Sequence, residues 1–157
     1  MTATEPTMAD DRRDLAAMMV PVGRALTAGE QPILDAHELT MWAYVVLMAL
    51  ADEPVRTQVA LAEVIRADKT RIIPVLDDLQ RRGLIERSPD PTDRRSHLLS
   101  LTPAGTEMFQ SVRSGIRAYE QRLLARLSPA ERNGLLGALG TLSSLSWHEL
   151  TSPGPAT

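Results

Sequence analysis

Between Asp68 and Thr102 the hydrophobic period of the chain switches from that of a helix to that of strands with almost no chain between them. Ile72, Leu76 and Leu79 recur at i, i+4 and i+7, which lines up one inward stripe on a helix. Asp68 is a good N-cap residue, and Gly83 supplies the left-handed stop at the other end. Leu84 to Arg87 and His97 to Leu101 then read as strands. The Asp90-Pro91-Thr92-Asp93-Arg94-Arg95-Ser96 run between them is too long for a two-residue turn and should project as a wing. A helix followed at once by an arginine-tipped ribbon suits duplex DNA. The helix fits the wide major groove, and the arginines reach the narrow, negative minor groove beside it.

The rest of the composition fits that reading once charge is divided along the chain. Residues 1–65 hold 4 basic and 10 acidic side chains, residues 66–97 hold 8 and 6, and residues 98–157 hold 5 and 4. The net charge of -3 therefore conceals a basic excess on the reading segment, where a phosphate would feel it. At 157 residues one domain is expected. Apolar residues make up 43% and aromatics 3%, so the core should be aliphatic and helical. Cysteine is absent, which excludes disulfides, a thiolate zinc site and thiol redox chemistry. Met1 to Arg13 lacks the pattern of a secretory signal, and no apolar run approaches ~20 residues. A cytoplasmic protein without membrane contact is the expectation.

Six helices and one small sheet are predicted. The first helix should run from about Asp11 to Ala28, kinked at Pro21, with a loop at Gly29 and Pro32. Thr40 should cap a buried helix over Met41 to Ala51, ended by Pro54, with a short strand at Val55-Arg56. Thr57 should cap a third helix with Val59, Leu61, Ala62 and Ile65 inward, and a tight turn at Arg66-Ala67 makes a helix-turn-helix with the next. Thr102-Pro103 opens a long helix to about Leu127, with Met108, Val112, Ile116, Tyr119, Leu123 and Leu127 along its seam. Ser128-Pro129-Ala130-Glu131 is a capping box that starts a last helix, reaching about Leu150 on a Leu135, Leu139, Leu142, Leu145 stripe. Residues 1–9 and 152–157 should be frayed or disordered. The terminal helices carry more apolar surface than the reading unit can cover, which predicts a homodimer of interlaced terminal helices.

The chain resembles MarR-family transcription regulators. The likeness extends from about Leu15 to Leu145. It rests on Leu39-Thr40 before the helix containing Trp42, on Asp68-Lys69-Thr70, on Leu76-Asp77-Asp78-Leu79 and on Arg82-Gly83-Leu84. Most specific is Asp93-Arg94-Arg95-Ser96-His97 followed by Leu99-Ser100-Leu101-Thr102-Pro103-Ala104-Gly105. The resemblance implies a mainly α chain with a small β-wing. Residues 37–105 would form the winged helix-turn-helix, and residues 1–36 and 106–150 the helical dimerisation region. It further implies a repressor on a near-palindromic double-stranded operator, released by a small aromatic effector.

On that resemblance Lys69, Thr70, Arg71, Ile73 and Pro74 face the major groove. Arg71 can contact guanine bidentately, and Ile73 can touch a thymine methyl. Ile73 and Pro74 depart from the polar or basic residues common at these positions. At the wing Asp93 and Arg95 match an acid–arginine pair in which the arginine enters the minor groove and the aspartate orients it. Arg94 then meets phosphate, unless the two arginines trade roles. The resemblance places an effector cleft where terminal helices meet the reading domain, drawing on His37, Met41, Trp42, Met18 and Val22. Against these stand plainer roles: a solvated helix start, a charged tip that blunts an edge strand, and a core tryptophan. No catalytic constellation, phosphate loop, metal spacing or cofactor motif is present, so an all-α hydrolase has only scattered serines and histidines in its favour. The alternative to a DNA-binding regulator is a winged-helix ligand- or protein-binding module that has lost DNA affinity.

Overall fold

The computed structural model describes residues 13–53 and 56–152, with the side chains of Arg56 and Lys69 outside that description. Expectations for residues 1–12, for Pro54 and Val55, and for the tail beyond Ser152 fall outside the described residues. In chain order the elements are α1 (Leu15–Ala36), α2 (Met41–Asp52), β1 (Arg56–Thr57), α3 (Gln58–Ile65), α4 (Lys69–Arg81), β2 (Ile85–Pro89), β3 (His97–Leu101), α5 (Pro103–Leu124), α6 (Pro129–Ser144) and α7 (Trp147–Thr151). The chain divides into two compact units, Met1–Ile116 and Arg117–Thr157. Among the described residues no single helix is long and apolar enough to cross a membrane.

The helix starts follow their caps. Thr40 accepts from the Ala43 amide, Thr57 from Ala60 and Thr102 from Gly105. Ser128 and Glu131 form the reciprocal capping box. The ends were less legible. α1 does not stop at Ala28 but carries Gly29 and Pro32 inside it. Pro32 lacks an N–H for the Ala28 carbonyl, and its exposure leaves that carbonyl to water. The helix ends where Glu38 turns left-handed, at φ 53°. There the Leu39 amide returns to the Leu34 carbonyl and the Glu38 amide to Asp35. The same two-bond closure ends α3 at Arg66, also at φ 53°, and α4 at Gly83, at φ 70°. At each end an apolar pair brackets the turn, Leu34 with Leu39, Ala62 with Ala67 and Leu79 with Leu84. Packing of that pair offsets the ~1 kcal/mol or more that a side chain loses in the left-handed region.

The sheet has three antiparallel strands in the order β1-β3-β2. β3 is central, pairing Leu99 with Arg56 on one side and with Arg87 on the other. Leu99 is fully buried beneath the helices. The aliphatic core joins Leu34, Val46, Leu47, Leu50, Leu61, Ile72, Leu76, Leu79 and Ile85. Its aromatic component, not anticipated, is Phe109 of α5 stacked on Tyr44 of α2 with ring centroids 5.9 Å apart. Phe109, Val112 and Ile116 are the buried stripe of α5, so the inward face is centred on Phe109 rather than Met108. Val59 is a second correction. It is 49% exposed, and α3 buries only Leu61 and Ala62 fully.

In the second unit α5 ends at Leu124, three residues before the expected Leu127, and the last helix is two helices. Leu145 turns extended, and Ser146 with Glu149 builds a second capping box that opens α7. Among the described residues there are therefore seven helices, where six were expected. No residue of α6 is buried, and Leu135, Leu136, Leu139 and Leu142 are all exposed.

One joint holds the first unit together. The Thr102 amide and hydroxyl bond the Leu84 and Gly83 carbonyls at 3.1 and 2.6 Å. A Cβ on Gly105 would lie 1.8 Å from the Leu84 carbonyl oxygen. No rotamer relieves a backbone clash of that kind, so glycine is required for α5 to start there. Gly105→Ala should cost about 3 kcal/mol, the upper range for overpacking, and lower Tm by roughly 6–12 °C in a thermal melt.

Candidate nucleic-acid interface

Asp68 sets the start of α4 by accepting the Thr70 amide at 3.0 Å. That backbone hydrogen bond, then the Thr70 side chain and the Arg71 charge, hold its carboxyl below the ordinary value of 3.8. Ile72, Leu76 and Leu79 point into the core. At about 100° per residue, Thr70, Pro74, Asp77 and Arg81 fall on the opposite face, with Arg71 and Ile73 on its two flanks. All six are exposed. Lys69 is the first residue of α4. α4 thus turns Thr70, Arg71, Ile73 and Pro74, four of the residues that the sequence assigned to reading, toward solvent.

The wing is the β2–β3 ladder, which runs from Ile85↔Leu101 to Pro89↔His97. The Asp90 amide closes its tip on the Ser96 carbonyl at 3.0 Å. Both aspartates of the tip act as turn caps. Asp90 accepts the Thr92 amide and hydroxyl at 2.8 and 2.6 Å. Asp93 accepts the Arg95 amide at 3.0 Å and the Ser96 hydroxyl at 2.9 Å. Asp93 therefore fixes the backbone that carries Arg95, rather than pairing with its guanidinium. Arg94 and Arg95 extend into solvent.

Three other arginines of the segment have structural work that the sequence did not reveal. Arg87 of β2 bonds Asp77 at 2.8 Å and ties the wing to α4. Arg82 lies 3.7 Å from Asp78 and donates to the Glu38 and His37 carbonyls at 2.7 and 3.1 Å. It thereby fastens the end of α4 to the α1–α2 corner. Arg81 pairs with Asp78. Arg71, Arg94 and Arg95 take part in none of the ion pairs among the described residues. Arg71 on the reading helix flank and Arg94 and Arg95 at the wing tip are exposed cations outside those pairs.

The proposed effector residues are not gathered within one chain. The His37 ring spans the Ile33 carbonyl at 2.8 Å and the Ser111 hydroxyl at 2.9 Å. A carbonyl only accepts, so Nδ1 carries a proton, and in the neutral ring Nε2 accepts from Ser111. Met41 packs half-buried against the core. Trp42, 39% exposed, lines a shallow crevice with Val46, Ala67, Arg71, Ile72 and Val75, against the reading helix. Met18 and Val22 are exposed on α1, roughly 20 Å further back along the helix axis than Leu34. Among the described residues no three His, Cys, Asp or Glu side chains converge as metal ligands would.

A family model described as MarR family matches residues 39–97, the stretch that contains α2, the helix-turn-helix and the wing. The transcriptional regulator HosA of Escherichia coli O111:H- is 33% identical over 98 residues, covering 62% of this chain and 73% of HosA. The chain belongs to the MarR family. As a MarR-family chain it is a transcriptional regulator with a winged-helix fold. A putative transcriptional regulatory protein for the hcr operon of Thauera aromatica is 36% identical over 110 residues, 70% of this chain and 66% of that protein. Among solved structures, the transcriptional repressor CouR bound to a 23-mer DNA duplex superposes with a TM-score of 0.73 at 27% identity, covering 89% of this chain and 99% of CouR.

Two outcomes follow from these bonds. Arg82→Ala should lower stability by about 1–3 kcal/mol in denaturant titration, because two carbonyls at a left-handed corner lose a charged donor. Arg82→Lys should recover little, since an ammonium cannot reproduce the fork. The depressed Asp68 carboxyl contributes stability above pH ~3.8, and that contribution is lost as pH falls through its lower folded value. Asp68→Asn keeps the oxygen acceptor and does not titrate, so the fall in unfolding midpoint between pH 5 and pH 2.5 should be shallower than in the parent.

Proposed function

We propose that this chain acts as a homodimer that occupies a near-palindromic DNA operator and represses transcription there, with release by a small aromatic ligand. The observation that carries the reading is the joint exposure of Arg71 on α4 and of Arg94 and Arg95 on the wing, while Arg81, Arg82 and Arg87 are engaged with Asp77 and Asp78. α4 enters the major groove by its N-terminal half, where Lys69 and Thr70 meet phosphate and Arg71 meets a base edge. The wing, held in shape by Asp93, places Arg95 in the minor groove and Arg94 on phosphate. CouR, known on a DNA duplex, supports this by its similarity over most of the chain.

Dimerisation is supported by apolar surface that each unit leaves facing water. In the first unit Leu15, Met18, Met19 and Val22 of α1 are exposed, and in the second the four α6 leucines are. Such faces favour burial against a second copy at ~25 cal/mol per Å². A flat ligand stacking on Trp42 would sit against Arg71, and so would compete with the placement of that arginine on DNA.

The test is a gel shift and anisotropy titration against the chain's own promoter region, across ionic strength. A dimer contacting two half-sites about 10 bp apart should lose roughly a thousandfold in affinity between 50 and 200 mM salt. Arg95→Ala should weaken binding most on A·T-rich flanks. Asp93→Ala should act through Arg95, so the double variant loses less than the sum of the singles. Failure to bind any duplex would favour a ligand- or protein-binding module with lost DNA affinity, a reading that the apolar Ile73 and Pro74 would suit.

A further inference from the structure

Two residues on the solvent side of α4 are not explained by folding. Ile73 is 43% exposed, while its neighbour Ile72 is 2% exposed and does the packing. Pro74 is also exposed and lies inside the helix, where it removes an N–H bond and destabilises by ~3 kcal/mol. Taking Ile72 as the inward direction, Pro74 lies within about 20° of the opposite, outermost line of the helix, and Ile73 lies about 80° from that line, on one flank. Along the axis, Ile73 and Pro74 thus place an apolar step on the exposed side, between Thr70 one turn before and Asp77 one turn after.

We propose that Ile73 and Pro74 read a thymine C5-methyl group, so that sequence preference at the middle of each half-site rests on a methyl contact and not on a hydrogen bond. The inference rests on the DNA-binding reading above. Every base pair presents donors and acceptors in the major groove, and the thymine methyl is the apolar feature among them. Neither side chain carries a polar atom, and Pro74 has no backbone N–H. Set against a cytosine amine or a guanine carbonyl, the pair would strip water from that group and return no bond. Set against a methyl, it buries apolar surface on both partners. The proline ring loses no rotamer freedom on contact, which sharpens the preference. Arg71, on the flank opposite Ile73, remains available for a guanine on the neighbouring step. The departure from the polar residues common at these positions thus changes what is read at the centre of the helix.

The experiment replaces each half-site thymine, one at a time, by deoxyuridine, which removes the methyl and leaves every hydrogen-bonding group in place. For the parent protein at least one position per half-site should weaken binding roughly fourfold, the equivalent of about 0.8 kcal/mol for a methyl-sized group. In the Ile73→Ala/Pro74→Ala double variant the same replacement should have no effect, while the salt slope stays that of the parent. Pro74→Ala restores a helix N–H and is expected to fold. Tight parent binding that ignores deoxyuridine at every position overturns the methyl contact and leaves the DNA-binding reading intact. Sensitivity that persists in the double variant overturns the assignment to these residues. Absence of duplex binding by the parent overturns the DNA-binding reading and this inference with it.

Discussion

The Leu84 carbonyl is the point on which the reading unit depends. It accepts the Thr102 amide and lies so close to the Gly105 Cα that no side chain fits there. The Thr102 hydroxyl bonds the neighbouring Gly83 carbonyl, and Gly83 itself stands left-handed at the end of α4. Four segments therefore meet at one short stretch of backbone: the end of the reading helix, the start of β2, the end of β3 and the start of α5. Backbone contacts do not change rotamer, so the wing has a fixed angle to the helix. On the proposed DNA-binding reading, filling two adjacent grooves at once would draw on that fixed angle, because an error of a few degrees at the joint is multiplied along the wing.

Charge is organised by the same economy of short contacts. Within residues 66–97 of an acidic chain basic side chains outnumber acidic ones, 8 to 6, and the acidic ones keep their charge while being engaged in structure. Asp68 caps α4, Asp90 and Asp93 cap turns in the wing tip, and Asp77 and Asp78 are held by Arg87, Arg81 and Arg82. Arg71 at the helix flank and Arg94 and Arg95 at the tip of the ribbon are exposed outside these pairings. Electrostatic attraction would bring DNA to this face, and the apolar centre of α4 would then act on sequence. Arg82 extends the system beyond the reading unit's own helices. Its two carbonyl bonds reach the α1–α2 corner, where the His37 ring in turn meets Ser111 of α5.

Much of this was legible from residue types. The caps at Thr40, Thr57, Asp68, Thr102 and Ser128 depend on a side chain reaching an amide two or three residues away, and such local chemistry is written in sequence. Gly83 declared its turn for the same reason. Glu38 did not, and at Arg66 the expected tight turn came without its left-handed backbone, because both left-handed turns are stabilised by the apolar pairs on either side, not by their own side chains. α1 passes Gly29 and Pro32 because a longer helix brings Leu34 onto the core, a gain that local propensity does not see. The Ser146 box that ends α6 was visible in principle, as a serine three residues before Glu149, and was masked by the leucine period running through it.

The candidate site divides in the same way. The sequence by itself determined which residues face outward on α4 and at the wing tip, since helical period and turn chemistry decide orientation within one element. Only the tertiary structure decided that Asp93 holds Arg95 through its amide, that Arg82 and Arg87 serve as struts, and that Trp42 lies against Arg71 while Met18 and Val22 lie far along α1. These are relations between groups distant in the chain or between a side chain and another residue's backbone. They arise from where packed elements come to rest, and hydrophobic burial fixes that position without regard to spacing along the sequence.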